Sequence, residues 1–170
     1  MRSGIAFGSN IGNRLANLQE AYRRVFALNV AGAFIRTSSI YKTSPVDSEP
    51  GTSDYFNAVM EISFNGSPVA LLDQLLEIEL KMGRPSKRPR NFPRRIDLDV
   101  LYMGSLVLNN PEITIPHPRL AKRRFVLAPL AEIAPDLIIP GQSLPVASLL
   151  EELNNREEVT KLPYHLSNDQ

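Results

Sequence analysis

Cysteine is absent from the 170 residues. That excludes disulfides and cysteine-ligated zinc, and it fits a reducing compartment. Charge of one sign is not in excess either: 19 Lys and Arg against 18 Asp and Glu leave a net charge of +1. No global field therefore drives the chain onto nucleic acid or a membrane surface. Long apolar runs are missing as well. The apolar part of the stretch from Met1 to Gly8 is too short for a signal peptide, and no other stretch approaches the length of a membrane span. A cytoplasmic protein is expected. There is no internal repeat and no low-complexity segment. There is also no G-x-x-x-x-G-K-[ST] phosphate loop: Gly8-Ser9-Asn10-Ile11-Gly12 lacks the lysine and is not a G-x-G-x-x-G turn. No Ser-His-Asp or Cys-His arrangement can be assembled from the motifs.

What is present is an ordinary globular composition, 43% hydrophobic and 22% charged, long enough to bury a core without staples. A single domain over 1–160 with a loose tail over 161–170 is expected. Ile5 to Phe7 reads as a buried strand. Asn13 is placed to cap a helix over 14–28, with Leu15, Leu18, Tyr22, Val25 and Phe26 on its apolar stripe. A second strand is predicted over 33–41 and a loop over 42–54. A long alternating strand follows, with Phe56, Ala58, Met60, Ile62 and Phe64 on one face and Tyr55, Asn57, Val59, Glu61 and Ser63 on the other. Ser67-Pro68 opens a helix, which Gly83 is placed to end. A strand over 95–102, a hairpin strand near 106–108 and short helices over 119–134 and 144–153 complete the reading. The order β-α-β-β-α-β predicts an α+β, ferredoxin-like sandwich: an antiparallel sheet, helices on one face, and an extra C-terminal hairpin and helices.

The chemistry concentrates near Asp97 and Asp99. Two residues apart on a strand, their side chains share one face about 6.5–7 Å apart, while Ile96, Leu98 and Val100 point the other way. Neighbouring carboxylates disfavour each other's ionisation, and a divalent cation reverses that penalty; Mg²⁺ is typically held by one or two carboxylates plus substrate phosphates. Alone, D-x-D is common by chance. Here it follows a basic loop, 84–93, with Arg84, Lys87, Arg88 and Arg90, and then Arg94 and Arg95, and no acidic residue interrupts 84–96. Guanidinium groups suit phosphate oxygens. The combination fits a nucleotide with metal or a two-metal nuclease, and the basic loop taken alone also fits a nucleic-acid contact. The loop carries Pro85, Pro89 and Pro93, which forbid a regular helix. His117 stands between Pro116 and Pro118, which restrict its backbone, and Arg119, Lys122, Arg123 and Arg124 follow it. The G-[FY]-[GA]-[FY] signature of RNA-binding sandwiches is absent.

Several segments together carry a more specific signal. Gly8-Ser9-Asn10-Ile11-Gly12-Asn13-Arg14 with Asn17-Leu18, Ser38 to Val46, Asp54 to Val59, Pro93-Arg94-Arg95-Ile96-Asp97-Leu98-Asp99 through Gly104, Ile115-Pro116-His117-Pro118-Arg119, and Arg124 to Asp136 occur in an order and spacing that resembles the 6-hydroxymethyl-7,8-dihydropterin pyrophosphokinase family of folate biosynthesis. The resemblance covers residues 4 to 140. It implies a ferredoxin-like fold, two Mg²⁺ ions per ATP, and transfer of pyrophosphate from ATP to the hydroxymethyl oxygen of 6-hydroxymethyl-7,8-dihydropterin with release of AMP. It implies Asp97 and Asp99 as metal ligands, and Arg84 and Arg94 as cations on the triphosphate and part of the catalytic set. Glu79, Val100, Thr114, His117 and Arg123 fall on the ATP side. Tyr55 and Phe125 would sandwich the pterin, with Asn57, Thr43 and Val46 at its polar edge. A monomer acting on small molecules, without nucleic acid or membrane partners, is expected. One departure stands out: the family commonly carries Trp-Gly before the Pro-Arg pair, and Asn91-Phe92 stands there instead.

Overall fold

The computed structural model describes residues 1–44, 53–83, 94–154 and 157–167. The alternating segments pair as antiparallel strands: β1 (Arg2–Ser9), β2 (Arg36–Thr37), β3 (Ser39–Thr43), β4 (Tyr55–Ser63) and β5 (Asp97–Met103). Two helices cross between them, α1 (Arg14–Phe26) and α2 (Pro68–Lys81). Both start where the sequence predicts. Asn13 Oδ1 accepts from Ala16 N–H at 3.1 Å, and Ser67 Oγ accepts from Ala70 N–H at 3.1 Å. Gly83 follows α2 in the left-handed region, with φ +92°.

The sheet runs in the order β5-β1-β4-β3, the arrangement of a ferredoxin-like sandwich, and a further strand continues it beyond β3. Downstream come a short hairpin, β6 (Leu108–Asn109) with β7 (Thr114–Ile115), then α3 (Arg124–Ile133), α4 (Val146–Glu152) and β8 (Val159–His165). α1 and α2 cover one face over a core that includes Ile5, Phe7, Met60, Ile62, Leu71 and Leu75, each at most 1% exposed. Burying each of the larger side chains contributes about 1.5–3 kcal/mol.

Three expectations change. Helices do not lie on one face only. Val59, Leu101 and Tyr102 face the opposite side, where Val126, Leu127 and Leu130 of α3 and Val146 of α4 pack against them. The polar residues of β4 on this face find partners: buried Glu61 accepts from Tyr102 Oη at 2.6 Å and from Arg2 Nε at 2.8 Å. Second, the strand predicted from residue 33 begins only at Arg36, and Phe34 is left 71% exposed. Third, the first half of the predicted loose tail over 161–170 belongs to the edge strand β8, which runs to His165; residues 168–170 lie outside the described residues. The strand pairs with β3 (Thr43 with Val159, Tyr41 with Lys161, Ser39 with His165), and Leu166 is fully buried. Pro163 lies in this strand, and an edge is where a residue without an N–H is tolerated.

β5 carries one residue more than β1 opposes. Ile5 faces Val100, Gly4 faces Tyr102, and Leu101 is the extra residue. Leu101 and Tyr102 consequently both enter the second core. The Tyr102 ring lies directly on Gly4, so a Cβ there would sit 2.3 Å from Tyr102 Cε1. Gly4→Ala must displace the ring and its bond to Glu61. A loss of about 2–4 kcal/mol is expected in urea denaturation, and unchanged stability would show that the ring is free to move.

Glu132 of α3 ties β8 and β3 down. Its carboxylate accepts from Lys161 Nζ at 3.0 Å, Ser39 Oγ at 2.8 Å, Ser39 N–H at 3.1 Å and Tyr41 Oη at 2.9 Å. Burial pushes its pKa up, but these bonds outweigh it and hold the carboxyl below the ordinary glutamate value of 4.5. A depressed folded-state pKa stabilises above the unfolded value and is lost as pH falls through the folded one. Glu132→Gln is therefore expected to cost about 1–2 kcal/mol at pH 7. The gap from the native protein should close as pH drops below 4.5, measured by chemical denaturation across that range; a gap independent of pH would contradict the assignment.

Candidate active site

The second face of the sheet, at the Asp97 end of β5, is where the predicted chemistry collects. Cross-strand register sets Asp97 opposite Gly8, Gly8 opposite Asn57, and Asn57 opposite Tyr41. One row therefore runs across four strands, with the acid at one end and the amide near the other. Two strand spacings put Asp97 and Asn57 about 10 Å apart. Between them is bare glycine: a Cβ on Gly8 would lie 3.4 Å from Asn57 Oδ1 and 3.9 Å from Asp97 Cβ. Asp99 stands one step along β5, opposite Ala6.

Asn57 is buried and donates through Nδ2 to Thr43 Oγ1 at 2.7 Å. That bond fixes the carboxamide plane and leaves Oδ1 above Gly8. Tyr55 lies on the same face, opposite Thr43. At the acidic end, Arg94 Nη1 donates to Asp97 Oδ1 at 2.5 Å. Burial weakens Arg94's charge, but Asp97, Asp99 and Glu79 outweigh it and raise its pKa. Arg123 reaches in from the start of α3. Its Nη1 is 3.9 Å from Asp99 Oδ2, and its guanidinium carbon is 5.4 Å from the centroid of the Phe125 ring. Desolvation, then Asp97, push the Asp99 carboxyl up, and His117, Arg123 and Arg94 pull it back. Two acids side by side with cations around them form a donor set of hard oxygens that suits a divalent cation.

His117 is held by more than its flanking prolines. Its N–H donates to Leu101 O at 2.8 Å, and its Nδ1 accepts from Arg119 N–H at 3.1 Å. With Nδ1 accepting, the neutral ring carries its proton on Nε2. Burial foremost lowers the His117 pKa, with Arg123 and Arg119 acting in the same direction against Asp99. At neutral pH the ring is thus an uncharged donor.

Residues 4–135 match the family described as 7,8-dihydro-6-hydroxymethylpterin-pyrophosphokinase. The chain belongs to that family. Similar proteins include the 2-amino-4-hydroxy-6-hydroxymethyldihydropteridine pyrophosphokinase of Haemophilus influenzae, 35% identical over 94% of this chain and 97% of that one. The protein of the same name from Synechocystis is 40% identical over 88% of this chain and 75% of its own length. The folic acid synthesis protein fol1 of Pneumocystis carinii is 32% identical, and the chain spans only 22% of it. Among solved structures, Plasmodium falciparum HPPK-DHPS shares the fold at a TM-score of 0.66 and 16% identity, over 88% of this chain and 44% of that one.

Among the residues assigned by resemblance to this pyrophosphokinase family, Asp97, Asp99, Arg94, Arg123, Tyr55, Asn57, Thr43 and Phe125 lie on or over this face as described. Thr114, on β7, bonds through Oγ1 to Asn109 Oδ1 at 3.1 Å, in the hairpin that flanks β5. Arg84, Val46 and Phe92 lie outside the described residues. Two of the assigned residues are directed inward. Glu79 is 0% exposed; its Oε1 accepts from Leu98 N–H at 2.8 Å and braces β5 from its open edge. Val100 turns its side chain into the α1–α2 core, away from the aspartates.

The structure also adds residues to which the sequence reading gave no role. Asn10, 2% exposed, clamps the chain entering β5: its Oδ1 accepts from Arg94 N–H at 2.7 Å, and its N–H donates to Arg94 O at 3.1 Å. Asn17 Nδ2 donates to Ser9 Oγ at 3.2 Å and to Ile11 O at 3.0 Å, which shapes the loop that carries Asn10. Arg14 bonds Asp54 O at 2.6 Å and lies over the Phe56 ring at 4.3 Å. For Glu79 a sequence signal existed. It follows Leu75 by four and Ile78 by one on the buried stripe of α2, where a carboxylate needs a partner. Asn10→Ala removes the acceptor of the Arg94 N–H at a cost of about 1–3 kcal/mol. It is expected to lower kcat about tenfold or more while the far-ultraviolet dichroism stays native. Full turnover in an AMP-release assay would mean that Arg94 is placed without the clamp.

Proposed function

We propose that this chain transfers pyrophosphate from ATP to the hydroxymethyl oxygen of 6-hydroxymethyl-7,8-dihydropterin and releases AMP, with Asp97 and Asp99 holding Mg²⁺. Family membership carries pyrophosphokinase activity in folate biosynthesis. The observation that supports the residue assignment is the single row Asp97–Gly8–Asn57. It sets an acid pair and a hydrogen-bonding amide on one face, with a gap of glycine that a substrate can span.

The pterin is a flat, polar-edged ring. Tyr55 and Phe125 offer it two aromatic walls. The Asn57 carboxamide, locked by Thr43, both donates and accepts at its edge. The triphosphate is anionic, and Arg94, Arg123 and the Nε2–H of neutral His117 are the donors that face it. Mg²⁺ on the Asp97 and Asp99 carboxylates would supply charge neutralisation at the transferred phosphorus. In the transfer itself, the hydroxymethyl oxygen bonds to the β-phosphorus. The bond from that phosphorus to the bridging oxygen breaks, and AMP departs with the oxygen; the hydroxyl proton goes to solvent. The residues of this chain contribute chiefly by aligning the two reactants and by fixing positive charge where negative charge develops.

The test is AMP release with ATP, Mg²⁺ and the pterin, read for variants on each side of the row. Asp97→Ala and Asp99→Ala are expected to lower kcat about 10³-fold or more, because each removes a metal ligand without opening the core. Tyr55→Ala and Phe125→Ala are expected to weaken pterin binding at least about tenfold while ATP binding changes little. Near-native rates in both aspartate variants would sink the metal assignment. Equal losses for both ligands in the aromatic variants would return Tyr55 and Phe125 to the core.

A further inference from the structure

α3 begins beside the site without a local cap. Its N-cap residue is Arg123, which makes no side-chain cap, and its first turn contains no acidic residue. A helix start leaves backbone N–H groups without intrahelical partners and favours negative charge nearby. Both are supplied from far along the chain. Glu157 Oε2 accepts from Arg124 N–H at 2.8 Å and from Phe125 N–H at 3.4 Å. Arg124 Nη1 reaches Leu153 O at 3.3 Å and closes the same junction from the end of α4. Glu157 also lies close enough to Arg123 to support its charge.

The residues held this way are the ones the site uses. Phe125 is one aromatic wall, and Arg123 reaches Asp99. Glu157 has firm footing, because two residues later the chain enters β8 with Val159 paired to Thr43. Thr43 is the acceptor that locks Asn57. One short segment thus backs the pterin pocket twice, through a carboxylate under Phe125 and through a strand beside Thr43.

We propose that Glu157 is a positioning residue for the pterin pocket: by capping α3 it sets the direction in which Phe125 and Arg123 leave the helix. This rests on the pterin reading given above. A cap acts through the backbone it holds, so its loss matters to the ligand only while the Phe125 ring is there to be misplaced. Stability loss alone would show no such dependence.

The experiment is a double-mutant cycle on the full chain. Pterin affinity is measured by calorimetry with Mg²⁺ and a non-hydrolysable ATP analogue present. Glu157→Ala is expected to weaken pterin binding about fivefold, the scale of a lost cap. Glu157→Gln is expected to stay within about twofold, because its amide oxygen still accepts from both N–H groups. In a Phe125→Ala background, Glu157→Ala is expected to add less than about twofold. An equal fivefold loss in both backgrounds, or no loss in either, overturns the proposal. Should Glu157→Ala fail to fold, Glu157→Asp takes its place in the cycle, since it keeps the charge and withdraws the oxygens by one methylene. If the native chain binds the pterin and the Glu157 variants bind it equally well, this inference alone falls. If the native chain binds no pterin, the functional reading falls and takes this inference with it.

Discussion

Asp97 and Asp99 repel each other, by about 2 kcal/mol at 7 Å and an effective dielectric of 20, and the surrounding structure is arranged so that they cannot move apart. β5 is the edge strand of the sheet on that side, where a row of outward N–H and C=O groups would ordinarily be loose. Here the edge is closed group by group. Glu79 takes the Leu98 N–H, the His117 N–H takes the Leu101 carbonyl, and Asn10 grips both backbone groups of Arg94 as the chain enters the strand. A carboxylate, a histidine and an amide from three separate parts of the chain hold one strand in place. Arg94 and Arg123 then balance the charge that the strand concentrates.

This arrangement explains why charged and polar residues sit in places that hydropathy alone would mark as core. Glu79 occupies the buried stripe of α2 and Glu61 a buried position near the end of β4, yet neither is a packing fault. Each accepts from groups that the sheet would otherwise leave unsatisfied or too close: the Leu98 N–H for Glu79, and the Tyr102 hydroxyl and the Arg2 guanidinium for Glu61. The buried polar residues form a frame around the cleft, and the apolar residues fill the two layers on either side of the sheet.

Reading by sequence succeeded where the determinants are local. The Asn13 and Ser67 caps depend on a side chain and an N–H three residues on, and strand parity alone puts Asp97 and Asp99 on one face. The partners of Glu61 on β4 were not legible, because Arg2 and Tyr102 are distant in sequence and meet it only through strand pairing. β8 was missed for a related reason. Its pattern of a few apolar residues among Lys161, Pro163 and Tyr164 is weak, and what holds it is Glu132 of α3 and the open edge of β3. The role of Asn10 was hidden inside a glycine-containing stretch that fits no phosphate-loop pattern. Its work is structural, 84 residues away in sequence at Arg94.

The extra residue in β5 has a consequence for how this strand can vary. On the site side of Leu101 the alternation sends aspartates to the cleft and Ile96, Leu98 and Val100 to the helices. Beyond it the alternation restarts out of phase, so that Tyr102 rather than Leu101 faces Gly4. The strand is in effect two half-strands joined by a phase slip, one devoted to chemistry and one to anchoring against Glu61. Were Leu101 to pair with Gly4 in regular register, the aspartates would stay in step with β1 while Tyr102 and Met103 turned to the wrong sides of the sheet. The strand's two tasks are thus separable by a single residue. A change that ruins the anchor need not disturb the alignment of the acids, and a change to the acids need not reach the anchor.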